Sequence, residues 1–187
     1  MKTRMNWARI LLGAICGVVA TGPMTAAMVL WHRRLPVGEK YPLPPCEITG
    51  AVLEKSGVRA DSKDLSAATL AAHFAYGGAA GGIYGLIPSG KTRAPIASGL
   101  AIGLFVWVLS YFGLLPALGI LRPATEHPAR RNALMLGAHF VWGVCLCALH
   151  RLLLDDARRA TPALSERAAV ARDTPHPTGL RGAMNGG

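Results

Sequence analysis

The stretch AHFAYGGAAGGIYG, residues 72–85, spaces its glycines at helical intervals. Gly77, Gly81 and Gly85 follow His73 in steps of four residues, so these positions share one face of an α-helix. Glycine stripes let two helix backbones approach closely, which is how helices associate in lipid, where apolar burial provides no drive between them. The stretch therefore predicts a closely packed membrane helix whose glycines form a helix contact.

The composition agrees with a membrane location. Of the 187 residues, 51% are hydrophobic and only 16% are charged, while the formal net charge is +10. The mean hydropathy is +0.33. A soluble domain this basic usually carries more charged residues, so apolar bulk with basic flanks favours an integral membrane protein.

Four segments are long enough to cross a hydrocarbon core of roughly 30 Å at about 1.5 Å per residue. None contains Asp, Glu or Lys, and their only arginine, Arg151, lies near the end of the fourth segment. The chain is therefore predicted to be an all-α, polytopic membrane protein with a four-helix transmembrane domain over residues 1–155. The predicted spans are about 10–31, 65–87, 94–118 and 133–154.

Both ends of the chain bear on topology. Residues 156–187 are polar and show no periodic apolar face, which predicts a disordered C-terminal tail. With the N-terminus inside, eleven Lys and Arg residues lie inside and nine outside, so both termini are predicted to be cytoplasmic. The N-terminal segment also has features of a signal peptide, but its apolar run continues to Trp31, which favours an uncleaved first helix.

Part of the glycine-rich stretch recurs later in the chain. LAAHFAYG at residues 70–77 and LGAHFVWG at residues 136–143 are 66 positions apart. The first and third spans each carry glycines four residues apart, which completes two helix-loop-helix units of the same orientation. Both intramembrane histidines are therefore expected to face the bundle interior at similar depths. The alignment pairs His73 with His139, Tyr76 with Trp142, and Gly77 with Gly143.

One proline lies inside the first span. Pro23 removes a backbone donor from the middle of the helix, so the helix is predicted to kink or break there. The simpler interpretation is a kink packed against neighbouring helices, although such kinks also occur where a pathway crosses the membrane.

The segment GLIPSGKT, from Gly85 to Thr92, matches the phosphate-binding pattern G-x-x-x-x-G-K-S/T. That pattern requires a buried strand before it and a helix after it, whereas here it joins two apolar helices. The segment is instead predicted to be a turn at the cytoplasmic surface, where Lys91 and Arg93 mark the topology. Neither ATP nor nucleic acid is predicted as a partner.

Several segments together resemble a known family. TGPMTAAM (21–28), YPLPPCEIT (41–49), LLPALGILRPATEHP (114–128) and GAHFVWG (137–143) are similar in order and motif to the YagU-like family of uncharacterised four-helix proteins. The resemblance covers roughly residues 10–154 and excludes the tail. It implies a multi-pass protein of the bacterial inner membrane and no particular chemistry.

The two intramembrane histidines are the main candidates for ligand binding. His73 and His139, each with a glycine one turn away, have the pattern expected for ligation of a b-type haem from both faces. The alternative is that each donates a hydrogen bond to a neighbouring helix and fixes the packing. Cys147 and His150, three residues apart, are weaker candidates for metal contact. The four cysteines have no zinc spacing, so no metal site is predicted.

Two proline-rich connections are predicted on the membrane face opposite the Gly90 turn. They carry Glu47, Glu126 and His127, which are candidates for cation or proton ligands near the intramembrane histidines. The favoured alternative is that the carboxylates are solvated and pair with arginines, since surface charges rarely have specific roles. The candidate arginines are Arg33, Arg34, Arg130 and Arg131.

Three functional hypotheses follow. The preferred one is a non-enzymatic scaffold or partner subunit in the lipid bilayer, which associates with itself or with another membrane protein. The second is a small permease or channel component, based on Pro23 and the glycine-lined interior. The third is a b-type haem protein. No catalytic residues are assigned, because no Ser-His-Asp or Cys-His set has a readable spacing.

Overall fold

The structure, a computed structural model, describes residues 2–87 and 95–173, with side chains over 6–87 and 96–156. Every regular element in these ranges is helical, which confirms the all-α prediction. A π-helical segment at Leu109–Leu114 continues α4 into α5, and 3-10 turns lie at Val37–Glu39 and Ala124–Glu126. The α-helices are α1 (Lys2–Arg33), α2 (Pro44–Lys55), α3 (Ser62–Gly85), α4 (Pro95–Val108), α5 (Leu115–Ala117) and α6 (Ala129–Asp173).

Three helical stretches are long and apolar enough to cross a membrane: Asn6–Arg33, Ile96–Ala117 and Ala129–Asp156. Three of the four predicted spans are thus confirmed as membrane-capable helices. α3 has sufficient length, with 24 residues, but it does not reach the same hydropathy. The reason is its composition, since glycine, tyrosine and histidine replace the large aliphatic residues of the other helices.

α1 and α3 touch through their backbones. Gly77, Gly81 and Gly85 are all buried in α3. A Cβ built on Gly81 would lie 2.7 Å from the Cα of Gly17 and even closer to the carbonyl oxygen of Gly13, so only glycine allows this approach. The order of the contacts, with Gly85 beside Gly13 and Gly77 beside Gly17, shows that α3 runs antiparallel to α1.

α4 and α6 form a second contact of the same kind. A Cβ on Gly143 would meet the carbonyl oxygen of Gly99, and a Cβ on Gly103 would meet the carbonyl oxygen of His139. Small residues on both helices therefore bring the two backbones together, as expected where lipid provides no hydrophobic drive between helices.

The buried core lies mainly between α1 and α6. On both helices the buried side chains recur three or four residues apart, which forms a stripe along each helix. The opposite face of α1 exposes large apolar side chains, such as Trp7 at 67% and Leu11 at 62%, as a lipid-facing surface does. The core residues of the two stripes are Cys16, Ala20, Met24 and Met28 with Met135, Ala138, Trp142 and Leu146.

α2 is a helix in a segment that the sequence predicts to be a loop. Pro44 and Pro45 occupy its first turn, where their missing N–H groups would be unpaired in any helix. Glu47 in the first turn and Lys55 in the last turn complement the helix dipole. The Nζ of Lys55 donates to the carbonyl of Leu118 at 2.8 Å, which ties the end of α2 to the chain just after α5.

Two further expectations differ from the structure. α6 extends through Asp173, into the segment 156–187 that the sequence predicts to be a disordered tail, and residues 174–187 lie outside the described residues. Contacts divide the chain into two compact units, with the boundary after Arg151.

α1 is continuous through Pro23, so the predicted break is wrong, and a kink at this residue stays a prediction.

The glycine contact between α1 and α3 gives a stability test. Gly81→Ala should lower the free energy of unfolding by about 1–3 kcal/mol, because the added methyl overpacks a backbone contact. The readout is the thermal midpoint of the purified protein in detergent. The control is Gly22→Ala on α1, where no atom lies within 4 Å of the new methyl. Equal midpoints for the two variants would contradict the contact.

Candidate functional site

A cavity of about 230 Å³ lies between five elements of the bundle, namely α2, α3, the π-helical segment, α5 and α6. α2 contributes prolines and aliphatic groups, α3 and the π-helical segment contribute polar aromatic side chains, and α6 contributes a histidine and a methionine. Both histidines singled out in the sequence line it. Its lining residues are Pro44, Pro45, Ile48, Thr49, Ala72, His73, Tyr76, Ser110, Tyr111, Leu114, Leu115, Met135 and His139.

His139 is buried and its ring orientation is set by its own helix. Its Nδ1 lies 2.7 Å from the carbonyl oxygen of Met135. A carbonyl only accepts hydrogen bonds, so Nδ1 carries the proton, and the Nε2 of the neutral ring is an acceptor with a bare lone pair. The edge of the ring also contacts Tyr111, with 6.2 Å between ring centroids.

His73 is half-buried and lines the cavity from α3. Its Nε2 is inaccessible to solvent and has no hydrogen-bond partner among the described residues. Its ring contacts Phe74 edge to face at 6.4 Å. An unpaired polar atom in apolar surroundings costs free energy, so a ring rotation that brings this nitrogen to a ligand in the cavity would relieve that cost.

A hydrogen-bond chain joins α3 to the π-helical segment at the cavity wall. The hydroxyl of Ser110 donates to the carbonyl of Val106 at 2.7 Å. Its single proton is thereby used, so in the 2.7 Å contact between Tyr76 and Ser110 the tyrosine is the donor. The π-helical turn ends just before Pro116, which has no N–H to continue an α-helical ladder. Such turns are frequent at functional sites.

A buried ion pair holds α2 against α6 beside the cavity. The guanidinium of Arg131 binds the carboxylate of Glu47 through both of its terminal nitrogens, one of them at 3.4 Å, and lies 5.8 Å from the ring centre of Tyr41. The Arg131 side chain is only 10% exposed and that of Glu47 is 28% exposed. Because their charges compensate one another, the pair positions α2 without leaving a net charge next to the cavity.

The predicted acidic face cluster divides among different arginines. Glu47 binds Arg131, whereas Glu126 faces Arg122 at 3.8 Å with both side chains largely exposed. A ring nitrogen of His127 contacts the backbone carbonyl of Arg122 at 3.1 Å. No metal-binding group of three or more His, Cys, Asp or Glu residues occurs among the described residues. The carboxylates therefore take the role of ion-pair partners.

The haem hypothesis conflicts with the packing around both histidines. It needs open space at the glycine one turn away, yet Gly77 packs on Gly17 and Thr21, and Gly143 packs on Gly99. The cavity is also smaller than the roughly 300–1,000 Å³ typical of drug-sized ligands, and a porphyrin is larger than most of these. The residues at this site therefore do not fit a haem.

The Cys147 and His150 pair lies at the other end of α3. The thiol of Cys147 donates to the hydroxyl of Tyr84 at 3.4 Å, and the ring of Tyr84 contacts His150 edge to face at 5.2 Å. These contacts tie α6 to α3 at the end of the glycine stripe. Packing against Tyr84 therefore explains why Cys147 and His150 lie three residues apart on one face of α6.

Some residues of the site had no separate signal in the sequence. Ser110, Tyr111 and Tyr76 are ordinary polar residues of apolar helices, and only their meeting in space marks them. α2 had a signal, since a pair of prolines followed by Glu47 is a helix-start pattern. That pattern would have predicted a short helix between the first two spans.

Comparison of the chain with protein-family models, with curated proteins and with solved structures gives no match. The resemblance to the YagU-like family therefore stays a hypothesis based on its motifs. The geometry of the cavity is the basis on which a function is proposed.

The two neighbouring arginines of α6 allow a matched test of the ion pair. Arg131→Ala should cost about 3 kcal/mol of stability, because it leaves Glu47 partly buried without its partner. Arg130→Ala should cost less than about 1 kcal/mol, because the Arg130 side chain is 64% exposed in its pair with Glu39. Thermal midpoints in detergent compare the two variants. If Arg130→Ala has the larger effect, the assigned role of Arg131 is wrong.

Proposed function

We propose that this protein is a four-span protein of the bacterial inner membrane that binds one small, mainly apolar molecule and acts as a non-enzymatic partner subunit. The observation that carries the proposal is the cavity that His73 and His139 line together. In this proposal both termini are cytoplasmic, as the distribution of Lys and Arg favours, so α2 and the cavity lie toward the periplasmic side. The YagU-like resemblance supports the membrane assignment.

The contact between α3 and α1 supports a fourth span. α3 lies along the middle of a membrane-capable helix, with Gly85 against Gly13 and Gly77 against Gly17. A helix in backbone contact with α1 over this length shares its depth in the bilayer. The 24 residues of α3 extend about 36 Å at 1.5 Å per residue, which is enough to cross the hydrocarbon core.

The predicted pair of helix-loop-helix units, α1 with α3 and α4 with α6, is supported by contacts within each unit and between the two. α1 packs on α3 through glycine, and α4 packs on α6 through glycine. Tyr76 of the first unit donates to Ser110 of the second, while Trp142 of the second donates to the carbonyl of Gly17 in the first at 3.2 Å. Such a repeat would account for the position of both equivalent histidines at one cavity.

The character of the cavity favours binding over catalysis. None of its lining residues is Lys, Arg, Asp or Glu. Most of the wall is apolar, with a few polar groups directed at one volume, which is the usual composition of a small-molecule site. A 150 Å³ apolar cavity in another protein accommodates benzene, so about 230 Å³ accommodates a substituted ring.

Cysteine labelling distinguishes four spans from three. In a Cys46→Ser background, Ser56→Cys should react with a membrane-impermeant maleimide in intact spheroplasts, whereas Ser89→Cys should react only after lysis. The two positions flank α3, so they lie on opposite sides of the membrane only if α3 crosses it. Labelling of both positions from the same side would overturn the four-span topology.

A filled cavity tests the binding site. Ala72 is exposed at the cavity, while Ala75 is exposed on the same helix away from it. Ala72→Phe should weaken binding of a monocyclic probe such as durene (1,2,4,5-tetramethylbenzene) at least tenfold, and Ala75→Phe should leave it unchanged. Isothermal titration calorimetry in nanodiscs measures both, with empty nanodiscs as the partition blank. Absence of saturable binding to the unmodified protein would refute the proposed function.

A further inference from the structure

The geometry points to a specific ligand class for this cavity, and the inference rests on the proposed function. We infer that the cavity binds the ring of a membrane-soluble quinol, a hydroquinone whose apolar tail remains in the bilayer. The inference concerns binding alone. No electron transfer is assigned to the protein.

The acceptor on His139 selects a ligand that carries a hydroxyl group. The Nδ1 proton is used at the carbonyl of Met135, so the free Nε2 accepts. A phenolic hydroxyl is a good donor to such a nitrogen, whereas a quinone carbonyl is itself an acceptor and leaves the nitrogen unpaired. The reduced form of the ring is therefore favoured over the oxidised form.

His73 is a second polar residue of the same cavity, and a rotation of its ring would present its Nε2 to a ligand. Its Nε2 is buried and lacks a partner among the described residues, and it lies on a different helix from His139. A hydroquinone has hydroxyl groups at opposite ends of a flat ring, so one molecule can address groups on two walls. The phenol of Tyr111, which is 3% exposed, adds an aromatic face to the lining.

The charge of the site argues for a neutral ligand. Arg131 is compensated by Glu47, and the cavity lining itself carries no Lys or Arg. A phosphate or carboxylate headgroup would enter without a counter-charge, which is costly in apolar surroundings. A quinol ring is uncharged and meets this requirement.

The exposure of the wall residues provides a route for the tail. Tyr76 is 41% exposed and Leu114 is 44% exposed, and both also line the cavity. In the four-span arrangement these residues face lipid, so the cavity opens sideways into the bilayer. A ring can enter from this side while its tail stays among the acyl chains.

The experiment compares two probes that differ only in their hydroxyl groups. The first is 2,3-dimethoxy-5-methyl-6-decylhydroquinone, kept reduced with dithionite, and the second is the same ring with both hydroxyls methylated. Quenching of intrinsic tryptophan fluorescence in nanodiscs reports binding, and empty nanodiscs correct for partitioning. The hydroquinone should bind the unmodified protein at least fivefold more tightly than its dimethyl ether. The oxidised quinone should also bind more weakly than the hydroquinone.

Substitutions assign the preference to the histidines. His139→Phe should bind the hydroquinone and its dimethyl ether with equal affinity, because the acceptor for the hydroxyl group is gone while the apolar wall remains. His73→Phe, at a half-buried position, should reduce the preference for the hydroquinone over its dimethyl ether at least twofold. Equal affinity of hydroquinone and ether for the unmodified protein would overturn the quinol inference and leave the proposed binding function standing. Absence of saturable binding of both probes and of durene would overturn both. If His139→Phe does not fold, the comparison of probes and His73→Phe decide the question.

Discussion

Backbone contact between α1 and α3 is the constraint on which the rest of this bundle depends. Gly13 and Gly17 meet the glycine stripe of α3 so closely that a single methyl group would clash with main-chain atoms. In lipid, such contact replaces the hydrophobic drive that packs helices in water. Aromatic residues next to this stripe contact other helices, since Tyr76 bonds to Ser110 and Tyr84 accepts from Cys147.

Several polar side chains around the cavity are paired, whereas two histidines that line it keep a ring nitrogen without a partner among the described residues. Tyr76, Ser110 and Trp142 each find an acceptor on another helix or on their own backbone. The Nε2 of His73 has no partner among the described residues, and the bonding of His139 leaves an acceptor free. Unpaired polar groups are costly in apolar surroundings, so the presence of both histidines at one cavity favours a ligand there.

α2 completes the site from outside the long helices. The ion pair between Glu47 and Arg131 and the bond from Lys55 to the carbonyl of Leu118 hold this helix across one end of the bundle. Its prolines and Ile48 close the cavity on that side. A carboxylate that looked like a ligand candidate therefore positions a wall, because its charge is used by the arginine.

Local patterns in the chain were enough to predict helices, apolar segments and the glycine face, because these depend on spacings of three or four residues. They were also enough to single out His73 and His139. They did not predict α3 as a helix of low hydropathy, the extension of α6 through Asp173, or α2 as a helix. The cavity itself was decided by the tertiary structure. Its walls come from Pro44, His73, Ser110 and His139, and only helix packing brings such distant positions together.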